Sequence, residues 1–194
     1  ASKPVMEGKG LLFKIFADID VFDIEVNEKD PEKFIQVVKA IAPTFGGINL
    51  EDIKAPEAFE IEQRLKAELD IPVMHDDQHG TAIISGAGLL NALEVQGKSI
   101  DQAKLVINGA GASAVSCTRL FKLLGAKPEN IIMLDSKGVI HASRTDLDTQ
   151  KKEFITNRNV QTLEQAIQGA DVFVGLSKGN ILSVDMVKSM APNP

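Results

Sequence analysis

The chain has 194 residues, of which 44% are hydrophobic and 25% charged, enough for one large domain or two small ones with a core. Its net charge is −6 and no block of Lys and Arg stands out, which argues against a nucleic-acid partner. No apolar run reaches the roughly 18 residues of a membrane span, and the N-terminus lacks the order of a signal peptide. Cys117 is the single cysteine, which excludes an internal disulfide and fits a cytoplasmic protein.

Helix-like and strand-like segments alternate over residues 1–76. The apolar spacing predicts helices over residues 4–19, 30–45 and 55–70. Asp30 is the predicted N-cap of the second helix, with Pro31 at the first helical position. Shorter apolar stretches predict strands over residues 20–26, 46–53 and 71–77, and the last two of these strands end in acidic residues.

The alternation continues to the end of the chain. A mostly buried helix rich in small residues is predicted over 78–97, and a strand that turns tightly into a helix over 103–126. The later predictions are strands over 130–138 and 171–177 and helices over 147–156, 162–170 and 183–190. This pattern predicts an α/β fold with parallel sheets, and the best domain boundary lies near residues 74–80.

The stretch "LVINGAGASA" carries Gly109-x-Gly111-x-x-Ala114 at a predicted strand-to-helix turn. The first glycine permits the turn, the second lets a pyrophosphate approach the backbone, and a small third residue lets helix and strand pack closely. The helix N-terminus offers free N–H groups to phosphates. Asp135, which ends the next strand, is placed to hold a ribose hydroxyl. The combination favours dinucleotide binding over a plain tight turn.

The choice between NAD and NADP stays open at this point. Asp135 favours NAD, because its charge would repel a 2′-phosphate. Ser136, Lys137 and Arg144 lie nearby in the sequence and could accept that phosphate, but Lys137 and Arg144 could equally belong to an ordinary solvated loop.

Four acidic residues end two of the predicted strands: Glu51 and Asp52 in "INLEDI", and Asp76 and Asp77 in "PVMHDD". Parallel strands place their carboxyl ends on one edge, so the four carboxylates would need a cation or protonation to coexist there. Oxygen ligands suit Mg²⁺ or Mn²⁺. From spacing alone, two acidic loops that never meet, with an Asp capping the next helix, are an equally good interpretation.

Three further residues, two histidines and a lysine, could take part in chemistry. His75 and His79 could ligate a metal, but only a helical segment would put them on one face, so hydrogen-bonded roles are favoured for both. Lys9 enters an apolar helix, where burial lowers the pKa of an amine and suits it to be a general base. Most lysines near helix starts are merely solvated, and the sequence alone does not choose between these roles.

Six blocks in a fixed order cover the chain almost end to end: "KPVMEGKGLLFK", "DVFDIEV", "PTFGGINLEDIKAPE", "IPVMHDDQHGTAIISGAGLLNAL", "NGAGASA" and "DSKGVI". Together they resemble the malic enzymes, specifically the bacterial-type branch. The resemblance implies a fold in which residues 1–76 belong to an N-terminal α/β substrate domain. It also implies that residues 77–194 belong to a Rossmann-like, doubly wound NAD(P)-binding domain that is truncated at its C-terminal end.

The resemblance implies oxidative decarboxylation of (S)-malate to pyruvate and CO₂, with reduction of NAD or NADP. It assigns Glu51, Asp52 and Asp77 to a Mg²⁺ or Mn²⁺ ion. Lys9 would be the base that takes the C2 hydroxyl proton, with Asp76 beside it as a catalytic neighbour. The dinucleotide would be held by Gly109, Gly111, Ala114 and Asp135, with Thr81 as a further contact.

The family uses a tyrosine to protonate the enolate at C3, and the 194 residues contain no tyrosine. The resemblance implies that this tyrosine lies upstream of residue 1, and a substrate-binding asparagine beyond Pro194. We therefore expect the chain to be incomplete and inactive by itself.

Two rival functions remain at the level of sequence. They are a non-catalytic dinucleotide-binding module and a different metal-dependent dehydrogenase that decarboxylates another 2-hydroxy acid. For assembly, the family resemblance implies a homodimer or a higher homo-oligomer. It also implies malate as the small-molecule substrate, while charge and hydropathy argue against a nucleic-acid or membrane partner.

Overall fold

The structure is a computed structural model that describes residues 2–194. Its contacts divide the chain into two compact units, one ending at Asp76 and the other spanning Asp77–Pro194. Each unit contains its own sheet with parallel strands, which confirms the predicted α/β class. Within residues 2–194, no helix combines the length and the apolar character that crossing a bilayer requires.

Within residues 2–76, the first unit contains three α-helices and two strands: α1 (Ser2–Ala17), α2 (Pro31–Ile41), β1 (Ile48–Leu50), α3 (Glu57–Glu68) and β2 (Val73–His75). The predicted cap of α2 is confirmed, because the Asp30 side chain accepts hydrogen bonds from the N–H groups of Glu32 and Lys33. β1 and β2 pair in parallel, with Leu50 opposite His75. The two strands therefore end at the same edge of the sheet.

One apolar cluster holds α2 and α3 against this small sheet. It consists of the buried side chains of Ile35, Val38, Leu50, Ile61, Leu65 and Val73. Burial of such side chains stabilises a fold by about 1.5–3 kcal/mol each. The cluster fixes the strand ends that carry the acidic residues.

The predicted strand over residues 20–26 is wrong. These residues, all within the described part of the chain, form an irregular segment between α1 and α2. Their alternating pattern fits a strand, but a strand needs a neighbour for its backbone hydrogen bonds, and β1 and β2 pair only with each other. Phe22 illustrates the result, since 72% of it is exposed while its ring lies 6.2 Å from that of Phe45.

The second unit begins with the first turn of a long helix and contains these elements: α4 (Asp76–Val95), β3 (Leu105–Asn108), α5 (Ala112–Leu123), β4 (Ile131–Asp135), β5 (Gly138–Val139), α6 (Thr149–Lys152), α7 (Leu163–Ala166), β6 (Val172–Gly175) and α8 (Val184–Ser189). The sheet has the order β5-β4-β3-β6. β3 pairs in parallel with β4 and β6, and β5 is antiparallel to β4.

The core of the second unit lies on the faces of this sheet. β3 is buried along its whole length, as expected of a central parallel strand covered by helices. Phe121 and Cys117 of α5 are both fully buried. Cys117 is therefore a core residue, and its burial raises the pKa of the thiol.

Two helices of the second unit are much shorter than predicted. α6 and α7 have four residues each, where the sequence predicts helices over 147–156 and 162–170. A short helix gains little from its own hydrogen bonds, and polar segments such as "TQKK" bury few side chains that would extend it. Both begin at side-chain caps, provided by Asp148 and Thr162.

Two residues of α5 provide a test of the core. We expect Phe121→Ala to lower the free energy of unfolding of the second unit by about 3–5 kcal/mol, because it leaves a cavity in the packed interior. Leu123→Ala is the matched control, since Leu123 is 85% exposed and its replacement should change stability by less than about 0.5 kcal/mol. Urea unfolding followed by circular dichroism measures both. Equal losses in the two variants would contradict the burial of Phe121 and the exposure of Leu123.

Candidate functional site

The acidic site of the first unit forms where β1 and β2 end. Glu51 follows β1 directly and Asp76 follows β2, and the parallel pairing of Leu50 with His75 places both acids at one edge of the sheet. The carboxyl edge of a parallel sheet is where α/β proteins usually bind ligands. Of the two interpretations that the sequence leaves open, the shared contact of this pair with Lys9 supports the one in which acids from the two strand ends approach each other.

Lys9 of α1 lies between the two carboxylates. Its Nζ donates a short hydrogen bond to Oδ2 of Asp76 and lies 3.5 Å from Oε2 of Glu51. The Glu51 side chain is only 6% exposed, so its charge needs compensation. Lys9 therefore joins the acid edge as a cation, and its interpretation as an ordinary solvated lysine is wrong.

The pKa of Lys9 differs in direction from the sequence-based expectation. Burial lowers it, as expected, but hydrogen bonds and charge attraction from Asp76 and Glu51 outweigh burial and raise it above the usual lysine range. Lys9 is thus an ammonium in this arrangement. To act as a base it must pass its proton on, and Asp76 is the hydrogen-bonded carboxylate beside it.

Two neighbours complete this edge. Asn49 of β1 donates from Nδ2 to Oε2 of Glu51 at 3.3 Å, while its Oδ1 is buried without a hydrogen-bond partner among the described residues. Asp52 has a left-handed backbone (φ 60°), a conformation that Asp tolerates better than most residues. Lys9, Glu51 and Asp52 line a mostly apolar cavity of ≈ 1020 Å³. Asn49 was missed at sequence level, although a period of two puts it on the same strand face as Glu51.

The donor chemistry of this edge fits a hard divalent cation. Carboxylates and an unpartnered buried amide oxygen are the ligands that Mg²⁺ and Mn²⁺ prefer. Within residues 2–194, however, no three side chains of His, Cys, Asp or Glu lie close enough together to hold a metal ion. The ligand roles of Glu51, Asp52 and Asp77 therefore stay predictions.

The acidic pair lies in a different element from the one predicted. β2 ends at His75 and α4 begins at Asp76, so Asp76 and Asp77 belong to the first turn of a helix rather than to a strand. Acidic residues are favoured there by the partial positive charge of the helix N-terminus. His75 and His79 do not share a helix face, because His75 is the last residue of β2.

The glycine turn of the second unit has the geometry that its sequence predicts. It joins β3 to α5, and Gly109 has a positive φ of 134°. A Cβ on Gly109 would lie 2.6 Å from the carbonyl oxygen of Leu176, whereas a Cβ on Gly111 would have no atom within 4 Å. Gly111 precedes α5 and no side-chain hydrogen bond caps that helix in the described structure, so its first N–H groups can bind an anion. Ala114 is buried in the first turn of α5.

A contact that the sequence does not reveal ties this turn to the start of α4. The Ser113 hydroxyl donates a hydrogen bond to the backbone carbonyl of Asp77 at 2.6 Å. No local pattern signals it, because the two residues belong to different elements. Thr81 lies one turn further along α4, and its contact with a dinucleotide stays a prediction.

Asp135 ends β4 and is surrounded by donors. Arg144 binds its two carboxylate oxygens at 2.8 and 2.9 Å, the N–H of Lys137 donates at 2.9 Å, and Nζ of Lys151 at 3.2 Å. Arg144 also pairs with Asp146, so both of its amino groups and its Nε are engaged. Arg144 is therefore part of a cluster of ion pairs and hydrogen bonds rather than of an ordinary solvated loop. Lys151 was not anticipated, because it is remote in sequence from Asp135.

Comparisons with known proteins identify the family of the chain. The family model "Malic enzyme, NAD binding domain" matches residues 78–193, and the model "Malic enzyme, N-terminal domain" matches residues 25–66. The first of these alone covers more than half of the chain. The chain belongs to the malic enzyme family. The resemblance seen in its motifs is thereby confirmed.

Similar malic enzymes cover the whole chain but are longer than it. The NADP-dependent malic enzyme of Halomonas elongata is 55% identical over all 194 residues, which are 46% of that protein. The NADP-dependent malic enzyme of Escherichia coli is also 55% identical, and the chain spans 26% of its length. The crystal structure of the NAD-dependent malic enzyme from Thermotoga maritima matches with a TM-score of 0.93 at 45% identity, over 100% of this chain and 52% of that one.

The two glycines of the turn should respond differently to substitution. Gly109→Ala should destabilise the second unit, because its φ is unfavourable for alanine and its Cβ would collide with Leu176. Gly111→Ala should leave stability unchanged, yet weaken NAD(P) binding by filling the space that a pyrophosphate would use. Thermal unfolding and calorimetric titration with NADP⁺ measure the two effects. Unimpaired NADP⁺ binding by Gly111→Ala would contradict a phosphate site at this turn.

The Asp135 cluster predicts a pH dependence of stability. Burial raises the pKa of Asp135, but the hydrogen bonds from Arg144, Lys137 and Lys151 outweigh burial and lower that pKa from 3.8 to about 2. A carboxylate with a depressed pKa stabilises the fold at pH values above its unfolded pKa and stops doing so as the pH falls through its folded pKa.

We therefore expect Asp135→Asn to lower the free energy of unfolding by about 2 kcal/mol at neutral pH, with this difference shrinking between about pH 4 and pH 2. Urea unfolding of the variant and the natural chain across that range measures it. A difference that does not change with pH would show that the charge of Asp135 contributes little.

Proposed function

We propose that the protein carrying this chain oxidatively decarboxylates (S)-malate to pyruvate and CO₂, reduces NAD⁺ or NADP⁺, and depends on Mg²⁺ or Mn²⁺. The observation that carries the proposal is the contact of Lys9 with Asp76 and Glu51 at the edge where β1 and β2 end. The names of the relatives support the reaction, and the match of residues 78–193 supports the nicotinamide cofactor.

Lys9 would remove the proton of the C2 hydroxyl while hydride leaves C2 for the nicotinamide ring. A neutral amine is needed for this step, whereas its carboxylate partners hold Lys9 as an ammonium. The hydrogen bond to Asp76 provides the acceptor, so Lys9 and Asp76 would share one proton and act as a unit.

The resulting 2-keto acid loses its C4 carboxylate as CO₂, and negative charge develops on the C2 oxygen. The ammonium form of Lys9, produced by the first step, is a cation close to that charge and would stabilise it. A bound Mg²⁺ or Mn²⁺, held by Glu51, Asp52 and Asp77, would supply Lewis acidity to the same oxygen. Protonation at C3 then completes pyruvate. The tyrosine that the family resemblance implies for this last step is absent from the 194 residues.

The second unit would bind the dinucleotide across its glycine turn. The uncapped start of α5 and the open space at Gly111 suit a pyrophosphate, and Asp135 suits the adenosine ribose. Asp135, Asp146 and Asp148 are paired with Arg144, Lys151 and Lys137, so the cluster is balanced and a 2′-phosphate would meet no net negative charge there. This arrangement supports acceptance of either NAD or NADP. A cytoplasmic location and assembly into homodimers or larger homo-oligomers remain predictions.

The proposal is tested by replacing Lys9 with methionine, which removes the amine and keeps the length of the chain. The assay follows NAD(P)H absorbance with malate and Mn²⁺, using the 194-residue chain and a longer protein that contains it. In an active protein, Lys9→Met should lower kcat by about 10²–10⁴-fold, the usual contribution of a general base.

Lys14→Met is the matched control, because Lys14 lies on the same helix and pairs with the exposed acids Asp18 and Asp20. It should retain full activity. Turnover that persists without the Lys9 amine would refute its role as the base. Cofactor binding without metal dependence or malate turnover would instead favour a non-catalytic dinucleotide-binding module. Robust turnover by the 194 residues alone would contradict the expectation that they are inactive.

A further inference from the structure

His75 is a fully buried polar residue to which the proposed reaction assigns no task. It is the last residue of β2 and directly precedes Asp76, and its exposed fraction is 0%. Its Nε2 lies 3.1 Å from the backbone carbonyl oxygen of Ile53. A carbonyl oxygen can only accept a hydrogen bond, so Nε2 must carry the hydrogen and donate.

The bond from His75 reaches the loop that holds the other acids. Ile53 follows Glu51 and Asp52 directly, and the ladder between the strands has already ended with the pair of Leu50 and His75. Beyond that pair the backbone of Asp52 is left-handed, so the loop departs from the strand direction. The hydrogen bond from the imidazole therefore connects the loop after β1 to the end of β2, at a point where the two strands no longer pair.

The backbone of His75 is fixed by a second element. Its N–H donates to Oε1 of Glu62 at 3.1 Å, and Glu62 is a buried residue of α3 that also pairs with Lys66 at 2.8 Å. Helix α3 is held in turn by the apolar core of the first unit. The ring of His75 is thus attached to a rigid support, and the loop at Ile53 is attached to the ring.

The environment of the other ring nitrogen, Nδ1, indicates that the hydrogen bond from Nε2 to Ile53 has a specific role. Nδ1 of His75 is buried without a hydrogen-bond partner among the described residues. Burying an unpaired polar atom is unfavourable, and an apolar side chain would fill the same space without that penalty. The hydrogen bond from Nε2 to Ile53 is the polar interaction of the ring that offsets the cost of burying Nδ1.

We propose that His75 is a positioning residue, whose Nε2–H bond to Ile53 holds Glu51 and Asp52 in place relative to Asp76. The proposal rests on the proposed function, because it assumes that Glu51 and Asp52 are ligands of a divalent metal ion. Residues that orient metal ligands typically change metal affinity by about 10–100-fold when they are replaced.

Two variants of His75 with amide side chains distinguish the effect of the hydrogen bond to Ile53 from the effect of filling space. The side-chain nitrogen of Gln lies near the position of Nε2 in histidine, whereas that of Asn lies near Nδ1 and cannot reach Ile53. Calorimetric titration of MnCl₂ into the full chain measures the affinity, and thermal unfolding without metal confirms that each variant is folded. We expect His75→Asn to weaken Mn²⁺ binding by about tenfold and His75→Gln to stay within about threefold of the natural chain.

Two controls accompany these variants. His141→Asn, at a histidine of the second unit, should leave Mn²⁺ affinity unchanged, and Asp77→Asn should abolish Mn²⁺ binding. Hydrogen exchange at the amides of residues 52–54 without metal reports on the loop itself. Exchange should accelerate in His75→Asn but not in His75→Gln, and this reading does not depend on metal or activity.

The outcomes separate this inference from the function on which it rests. If the natural chain binds Mn²⁺ and both His75 variants bind it equally well, or lose it equally, the positioning role of His75 is overturned and the metal site stands. If the natural chain binds no Mn²⁺, the metal site of the proposed function is overturned together with the inference. A selective loss in His75→Asn, accompanied by faster exchange in the loop, supports both.

Discussion

Charge compensation by Lys9 is the interaction on which the acidic edge of the first sheet depends. Glu51 and Asp76 follow two strands that pair in parallel, so the fold brings both carboxylates to one edge. Two carboxylates in a partly buried place repel each other unless a cation or a proton joins them. Lys9 supplies that cation from α1 and thereby attaches the first helix to the end of the sheet. Any chemistry at this edge has to begin from that paired state.

In the second unit, a different side chain compensates the charge of a carboxylate at the end of a strand. Asp135 also ends a parallel strand, but its compensating partner is the guanidinium of Arg144, which forms two parallel hydrogen bonds with the carboxylate. A guanidinium stays protonated and holds a fixed geometry, whereas an ammonium is a compact charge whose proton can move. The contrast suits the two roles we propose: Arg144 compensates the charge of Asp135 where the dinucleotide would bind, and Lys9 takes part in proton transfer.

The sequence correctly predicted the structural features that depend on residues close to one another along the chain. The Asp30 cap and the glycine turn at Gly109 follow from backbone requirements of a few consecutive residues, and both are confirmed. Sequence patterns predicted wrongly, or missed, the features that depend on a residue distant along the chain. Residues 20–26 have the alternation of a strand but lack a neighbour to pair with. The direction of the Lys9 pKa reversed because remote carboxylates outweigh local burial, and the Lys151 contact with Asp135 has no local signal at all.

The burial of Cys117 has a practical consequence for studying this protein. The only thiol of the chain is closed to solvent and its pKa is raised, so alkylating reagents meet an unreactive native background. The chain also contains neither tryptophan nor tyrosine. A cysteine or a tryptophan introduced at an exposed position would therefore be the single reactive label or the single indole fluorophore. Either unit can be followed spectroscopically without first removing any native residue.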